Sequence, residues 1–223
     1  MLLRLLPLAF LFSSCTHDDG HEHPHDEVGM QALFDGKTTS GWRGYKQNGC
    51  PDGWKVVDGA LTRVGEAGDL VSLEEYQDFE FEFEWQVAPG ANSGVMFHVS
   101  EDHDAPWETG PEFQVLDNVA HKDLDPRNSA GANYAMHAPS ADVTRPAGEW
   151  NQGKIIVHGA HVEHWLNGTK VVAYELWDDD WQRRVEGCKW NEHPDYGRRK
   201  SGHLALQDHG DKVAFRNLRV RRL

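Results

Sequence analysis

Asp78-Phe79-Glu80-Phe81-Glu82-Phe83-Glu84-Trp85 alternates acid with aromatic over eight residues. Successive side chains of an extended chain point to opposite faces, so this spelling makes a β-strand with one aromatic face and one charged face. The aromatic face belongs in a core, and the acidic face is expected to be solvated.

The same period continues outward in both directions. Gly94 to Val99 reads as a second strand, with Val95, Phe97 and Val99 on one face and Met96 and His98 on the other. Glu112 to Leu116 reads as a third, with Phe113 and Val115 opposite Glu112 and Gln114. Lys154–His158 and Val162–Leu166 flank Gly159-Ala160-His161, a hairpin signature, and Asn167-Gly168 turns the chain into Lys170–Tyr174. Gly202–Gln207 and Val213–Val220 close the series around Asp208-His209-Gly210-Asp211. Many short strands at roughly ten-residue spacing, with little helical periodicity, predict an all-β, two-sheet β-sandwich.

The N-terminus is read separately. Met1 to Cys15 has one cation, Arg4, an apolar run from Leu5 to Phe12, then Ser13-Ser14-Cys15. That is the form of a secretion signal, and it is too short to span a bilayer. Cys15 after two small residues resembles a lipoprotein lipobox, with Phe12 where leucine is usual. The expectation is a lipidated Cys15 in an exported periplasmic or outer-membrane lipoprotein; a plain signal peptide is the alternative. Residues 16–29 hold His17, His21, His23 and His25 among acids, a tether that serves as a spacer or captures metal. Residues 30–223 are uniform in composition and fit one domain.

A net charge of −14 excludes the phosphate backbone of nucleic acid as partner and leaves the lipid anchor as the membrane contact. With Cys15 lipidated, Cys50 and Cys188 remain as a pair; an oxidising compartment permits a disulfide, and two separate buried thiols are the alternative. Nine tryptophans divide between core and surfaces on which sugar rings stack. No nucleophile elbow, phosphate loop, zinc-binding helix or Cys-x-x-Cys pair occurs.

Polar residues at strand ends carry the remaining chemistry. Glu112, Gln114 and Asp117 fall within six residues, where carboxylates can exchange protons or bind a cation, or simply face water. Asn92-Ser93-Gly94 opens a strand where backbone can approach a ligand, or makes an ordinary turn. Gln207-Asp208-His209-Gly210 puts an imidazole at a strand end, and His164-Trp165 precedes a tight turn.

Taken in order, Leu33-Phe34-Asp35-Gly36-Lys37, Trp54-Lys55-Val56, Asn92-Ser93-Gly94, Glu112-Phe113-Gln114-Val115-Leu116-Asp117, Gly148-Glu149-Trp150-Asn151, His164-Trp165-Leu166-Asn167-Gly168, Leu206-Gln207-Asp208-His209-Gly210 and Phe215-Arg216-Asn217 resemble the 3-keto-disaccharide hydrolase family. The resemblance spans residues 31–223 and implies a jelly roll of the concanavalin A-like lectin/glucanase type. Cys50 and Cys188 depart from the family pattern together, which favours their pairing. The implied chemistry is cleavage of a 3-keto-glycoside or 3-keto-disaccharide by β-elimination and hydration. It implies Glu112 or Asp117 as base, His209 or a bound divalent cation as polariser of the ketone, and Asn92, Gln114, His164 and Gln207 as sugar-binding groups. A sugar 3-dehydrogenase is the implied supplier of the ketone. The competing expectation is a non-catalytic, lectin-like carbohydrate-binding lipoprotein.

Overall fold

The structure, a computed structural model, describes residues 29–223. The leader, the lipidation at Cys15 and the histidine tether therefore lie outside the described residues. In chain order the strands are β1 (Gln31–Ala32), β2 (Trp42–Gly44), β3 (Trp54–Val57), β4 (Ala60–Arg63), β5 (Leu70–Tyr76), β6 (Phe79–Val87) and β7 (Asn92–Val99). They continue with β8 (Glu112–Leu116), β9 (Asn151–His158), β10 (His161–Leu166), β11 (Thr169–Glu175), β12 (Gly202–Leu206) and β13 (Val213–Arg222). One short helix, α1 (Asp179–Glu186), interrupts them. The strands form two antiparallel sheets, ordered β11-β10-β9-β6-β13-β4-β3 with β1 beside β13, and β2-β5-β12-β7-β8. This is the expected jelly-roll sandwich.

β6 lies mid-sheet and sets the core. Phe79, Phe81, Phe83 and Trp85 are all buried against the other sheet. Phe83 meets Phe113 edge-on at 5.2 Å, and Phe79 meets Phe97 edge-on at 6.1 Å. Such contacts add roughly 0.5–1.5 kcal/mol each beyond the area they bury. The β10–β11 turn uses Asn167 and Gly168, both left-handed at φ 48° and 81°, as a two-residue hairpin with the twist of its strands requires.

The other face of β6 is not the solvated surface expected. Glu80 is buried, and its carboxylate accepts from Lys154 Nζ at 2.9 Å and also from Arg221. Glu82 pairs with Arg219 at 3.0 Å and Lys154 at 3.3 Å, and Glu84 with Arg216 at 2.7 Å. The cations come from β9 and β13, directly across the ladder, so opposite charges alternate over the sheet. Burial alone would raise the Glu80 carboxyl; Lys154 and Arg221 outweigh it and hold its pKa below the usual value.

A second departure concerns β7. His98 has φ 52°, and the pairing of β7 with β12 shifts register there. The bulge turns the alternation over. Phe97 and His98 both pack with Phe79, while Val99 joins Met96 on the outer face of the five-stranded sheet. Cys50 and Cys188 are free thiols, which corrects the expected bridge. Cys188 Sγ lies 3.7 Å from Met136 Sδ and donates to Val185 O, whereas Cys50 sits beside Pro51, so each thiol is occupied locally.

Phe83→Ala empties the centre of this packing. It is expected to cost about 3–5 kcal/mol, read as a lowered urea midpoint with an unchanged slope; a loss under 1 kcal/mol would mean that the Phe83–Phe113 contact does not organise the sandwich.

Candidate active site

The five-stranded sheet turns a second face away from the core. Pairing registers place Val71, Ala205, Met96 and Glu112 in one row across β5, β12, β7 and β8. Tyr45, Val71, Met96, Val99 and Ala205 form an apolar floor on this face, with Trp107 packed against it. Because Phe113 is fixed in the core, its neighbours Glu112 and Gln114 must emerge onto this floor.

Glu112 is nearly inaccessible, at 4% exposure, and among the described residues no cation forms an ion pair with it. A Cβ at Gly94, beside it on β7, would stand 2.0 Å from Glu112 Oε1, so only glycine leaves room for the carboxyl. Burial raises the Glu112 pKa to about 8; the negative charge of Asp69 adds to this and Lys189 opposes it. The Gln114 amide lies 3.2 Å from Asn92 Oδ1 and, turned over, donates to Glu112 Oε1 at 3.0 Å. Gln207 joins the next row, its N–H donating to Gly94 O at 2.9 Å. Glu112, Gln114, Asn92 and Gln207 thus lie along neighbouring positions of β8, β7 and the end of β12.

Other sequence candidates have different work. Asp117 is buried and accepts from the N–H groups of Gly90 (2.9 Å), Val119 (3.1 Å) and Ala120 (3.5 Å). Its oxygens are spent on loop backbone, so it anchors the end of β8 rather than moving protons. His164 is a core residue, fully buried between the sheets. Its Nδ1 faces Gly131 O at 3.1 Å, its ring packs on Phe113, and burial pulls its pKa to about 4. It holds no sugar there. His209 is exposed on the turn between β12 and β13, while its neighbour Asp208 ties down the N–H groups of Ala67 (3.0 Å), Gly68 (2.9 Å) and Gly210 (2.9 Å). Among the described residues no group of three or more His, Cys, Asp or Glu side chains is arranged to hold a metal ion, so the expected divalent cation finds no ligand set among them.

Three residues escaped the sequence reading. Asp69 precedes β5, and its carboxylate accepts from Asp208 N at 2.7 Å. Burial pushes its pKa up to about 6, with the charge of Asp208 adding to the effect. The loop along the free edge of β8 supplies Tyr134, whose N–H donates to Glu112 O at 3.0 Å. Lys189, at the start of the 3₁₀ turn Lys189–Glu192, rests 4.3 Å from the ring centroids of both Tyr134 and Trp190 and 6.0 Å from that of Trp107. No periodicity links these positions to Glu112. Only the unmatched acid in Gly68-Asp69-Leu70 and the lone cation in Cys188-Lys189-Trp190 mark them.

A β-sandwich with an acid-bearing, aromatic-walled outer face can bind or cleave a sugar, and the fold alone does not choose between them. The chain belongs to the family described as the 3-keto-alpha-glucoside-1,2-lyase-like domain, which it matches over residues 29–221. It is 33% identical to a 3-keto-disaccharide hydrolase of Bacteroides thetaiotaomicron, over 91% of this chain and 81% of that protein. A crystal structure of a Parabacteroides distasonis protein named as a candidate glycosyl hydrolase superposes with TM-score 0.81 at 36% identity, covering 87% of this chain and 94% of that one. A second such structure from the same organism gives TM-score 0.70 at 26% identity, covering 87% and 99%.

The raised Glu112 pKa has a sign that stability can report. The unfolded carboxyl ionises near its ordinary 4.5, the folded one only near 8. Between those values the unfolded chain binds fewer protons, so native stability falls as pH rises. Glu112→Gln lacks this loss. Its Tm relative to wild type is expected to climb by about 5 °C or more from pH 5 to pH 8.5 in thermal scans, since each kcal/mol is worth about 2–4 °C at this size. A pH-independent difference would mean that Glu112 is already ionised in the native state.

Proposed function

We propose that this protein cleaves 3-keto-disaccharides, or related 3-keto-glycosides, by elimination followed by hydration. The observation that carries the reading is the pair of acids on one sheet face whose surroundings separate their titrations: Glu112 near 8 and Asp69 near 6. At neutral pH Glu112 holds its proton and Asp69 has largely lost its own. Groups separated in this way suit acid and base roles in one site. Family membership supports the sugar, and the ketone supplies the chemistry.

In a 3-keto-glycoside the hydrogen on C2 is acidic because the carbonyl at C3 accepts the electron pair. Asp69 takes that proton, and C2 and C3 become an enolate. The enolate re-forms the ketone, the C1–O bond breaks, and Glu112 delivers its proton to the departing oxygen. The product is an enone with a C1–C2 double bond. Water then adds at C1 while C2 regains a proton, so the net change is hydrolysis. Asn92, Gln114 and Gln207 line the same face, where they bind ring hydroxyls. Tyr134 and Trp107 wall it with rings that suit a pyranose face. We read the chain as an exported lipoprotein that receives its substrate from a sugar 3-dehydrogenase.

Purified protein offered a 3-keto-disaccharide is expected to release free sugar products. Glu112→Ala should lower kcat by about 10²-fold or more with an unchanged circular dichroism spectrum. Asp117→Asn, which weakens only the loop anchor, should lower Tm while leaving kcat within about threefold. Saturable binding without product release, and Glu112→Ala affecting affinity alone, would instead identify a lectin-like module.

A further inference from the structure

The elimination proposed above puts negative charge on the C3 oxygen, and neither group expected to meet it is built for that task. His209 lies on an exposed turn. Among the described residues no cluster of three or more His, Cys, Asp or Glu side chains is arranged to hold a metal ion. One cation is close enough to Glu112 for its charge to act on that carboxyl, and three aromatic rings lie around it.

Lys189 is bracketed by Tyr134 and Trp190, each ring centroid 4.3 Å from Nζ, with Trp107 at 6.0 Å. Among the described residues it makes no hydrogen bond or ion pair, whereas Lys154 and Lys170 each have a carboxylate within 3 Å. The bracket is itself rigid. Trp190 is 1% exposed, its Nε1–H donates to Tyr134 O at 3.1 Å, and its ring stacks on Tyr196 at 4.2 Å and 5°. Tyr134 is bound through its own N–H to Glu112 O at 3.0 Å. The cage and the acid are therefore parts of one hydrogen-bonded unit along the edge of β8. Lys189 is itself an exposed residue, and partial burial of its ammonium brings it below its ordinary pKa, a shift that an ionised Glu112 would oppose.

We propose that Lys189 is a catalytic residue that touches the substrate ketone, its caged ammonium donating a hydrogen bond to the C3 oxygen and holding the enolate charge during elimination. The role is non-covalent. The ammonium keeps its three protons, the electron pair from the C2–H bond resides on O3 while hydrogen-bonded to Nζ, and it returns to C3=O as the C1–O bond breaks. A preorganised donor is worth most where charge develops, because nothing needs to reorganise at that moment, and the exposed position of Lys189 leaves its ammonium open to a bound sugar. The flat rings suit this function: a carboxylate partner would compete with the ketone for the ammonium, and a π-face attracts the cation without occupying its N–H groups.

The inference rests on the 3-keto reading, and the test separates the two. Wild type, Lys189→Gln and Lys189→Arg are compared on a 3-keto-disaccharide, and exchange of the C2 hydrogen for solvent deuterium is followed by NMR alongside product release. For Lys189→Gln, kcat and exchange are both expected to fall about 10²–10³-fold, with KM changed less than about threefold. Lys189→Arg, which keeps the charge, should recover at least tenfold of the loss. If wild type turns over and Lys189→Gln matches it, or raises KM alone, the lysine assignment is overturned while the elimination reading stands. Loss of cleavage with exchange intact would move Lys189 to a later step and also overturn the proposal. Borohydride trapping of sugar on Lys189 would replace hydrogen bonding by an imine. Absence of wild-type turnover would overturn both.

Discussion

The edge-to-face contact of Phe83 with Phe113, 5.2 Å across the sandwich, is the constraint on which the site depends. β6 sits in the middle of the larger sheet, and β8 is the edge strand of the smaller one. β8 pairs with one strand only, β7, and its other edge exchanges hydrogen bonds with the loop residues Gly131, Ala132 and Tyr134, so a side chain in the core is what fixes which face each residue turns outward. Phe113 is that side chain. A one-residue slip would bury Glu112 and Gln114 among phenylalanines and expose Phe113 and Val115. The catalytic candidates thus inherit their position from a hydrophobic contact made by the residue between them.

Two strands share one spelling and end with opposite electrostatics. β6 reads acid, aromatic, acid, and β8 reads acid, aromatic, amide. What differs is the neighbour across the ladder. β9 and β13 bring Lys154, Arg216, Arg219 and Arg221 opposite the acids of β6, and Glu80 is held below the usual carboxylate pKa although buried. β7 brings Met96 and Gly94 opposite Glu112 and Gln114, so burial goes uncompensated and the Glu112 pKa rises to about 8. One sheet face is neutralised into scaffold, while the other stores an unpaired acid. Alternation in a single strand says which way a carboxyl points, and only pairing says whether it is free to react.

That distinction decides how far the sequence could be read. Strand positions, the Asn167-Gly168 hairpin and the direction of Glu112, Gln114 and Asn92 follow from local chemistry, because period two and turn propensities are properties of neighbouring residues. Val99 was misplaced because the left-handed His98 adds one residue to β7, and nothing in Phe97-His98-Val99 announces a bulge. Asp117 and His164 looked functional as polar residues at strand ends. Their hydrogen bonds to Gly90 and Gly131 exist only once loops some 30 residues distant are folded back. Asp69, Tyr134 and Lys189 reach the site from segments that share no pattern with it, so their chemistry belongs to the tertiary structure alone.

A site of this composition also fits elimination better than direct displacement. Displacement at the anomeric carbon relies on two carboxylates set at a defined spacing across the scissile bond, one of them fully ionised against the sugar. Here burial raises the more buried acid, Glu112, to about 8, and the other lies on the same sheet face rather than opposite it. An oxidised sugar relaxes the demand. The ketone makes a C–H bond the first to break, a weak base suffices, and the stabilisation needed shifts from an oxocarbenium cation to an enolate anion. Lys189, which has no ion-pair partner among the described residues, is then in the right place by sign. A lysine beside a neutral Glu112 would repel the positive transition state of displacement, and it attracts the negative one of elimination.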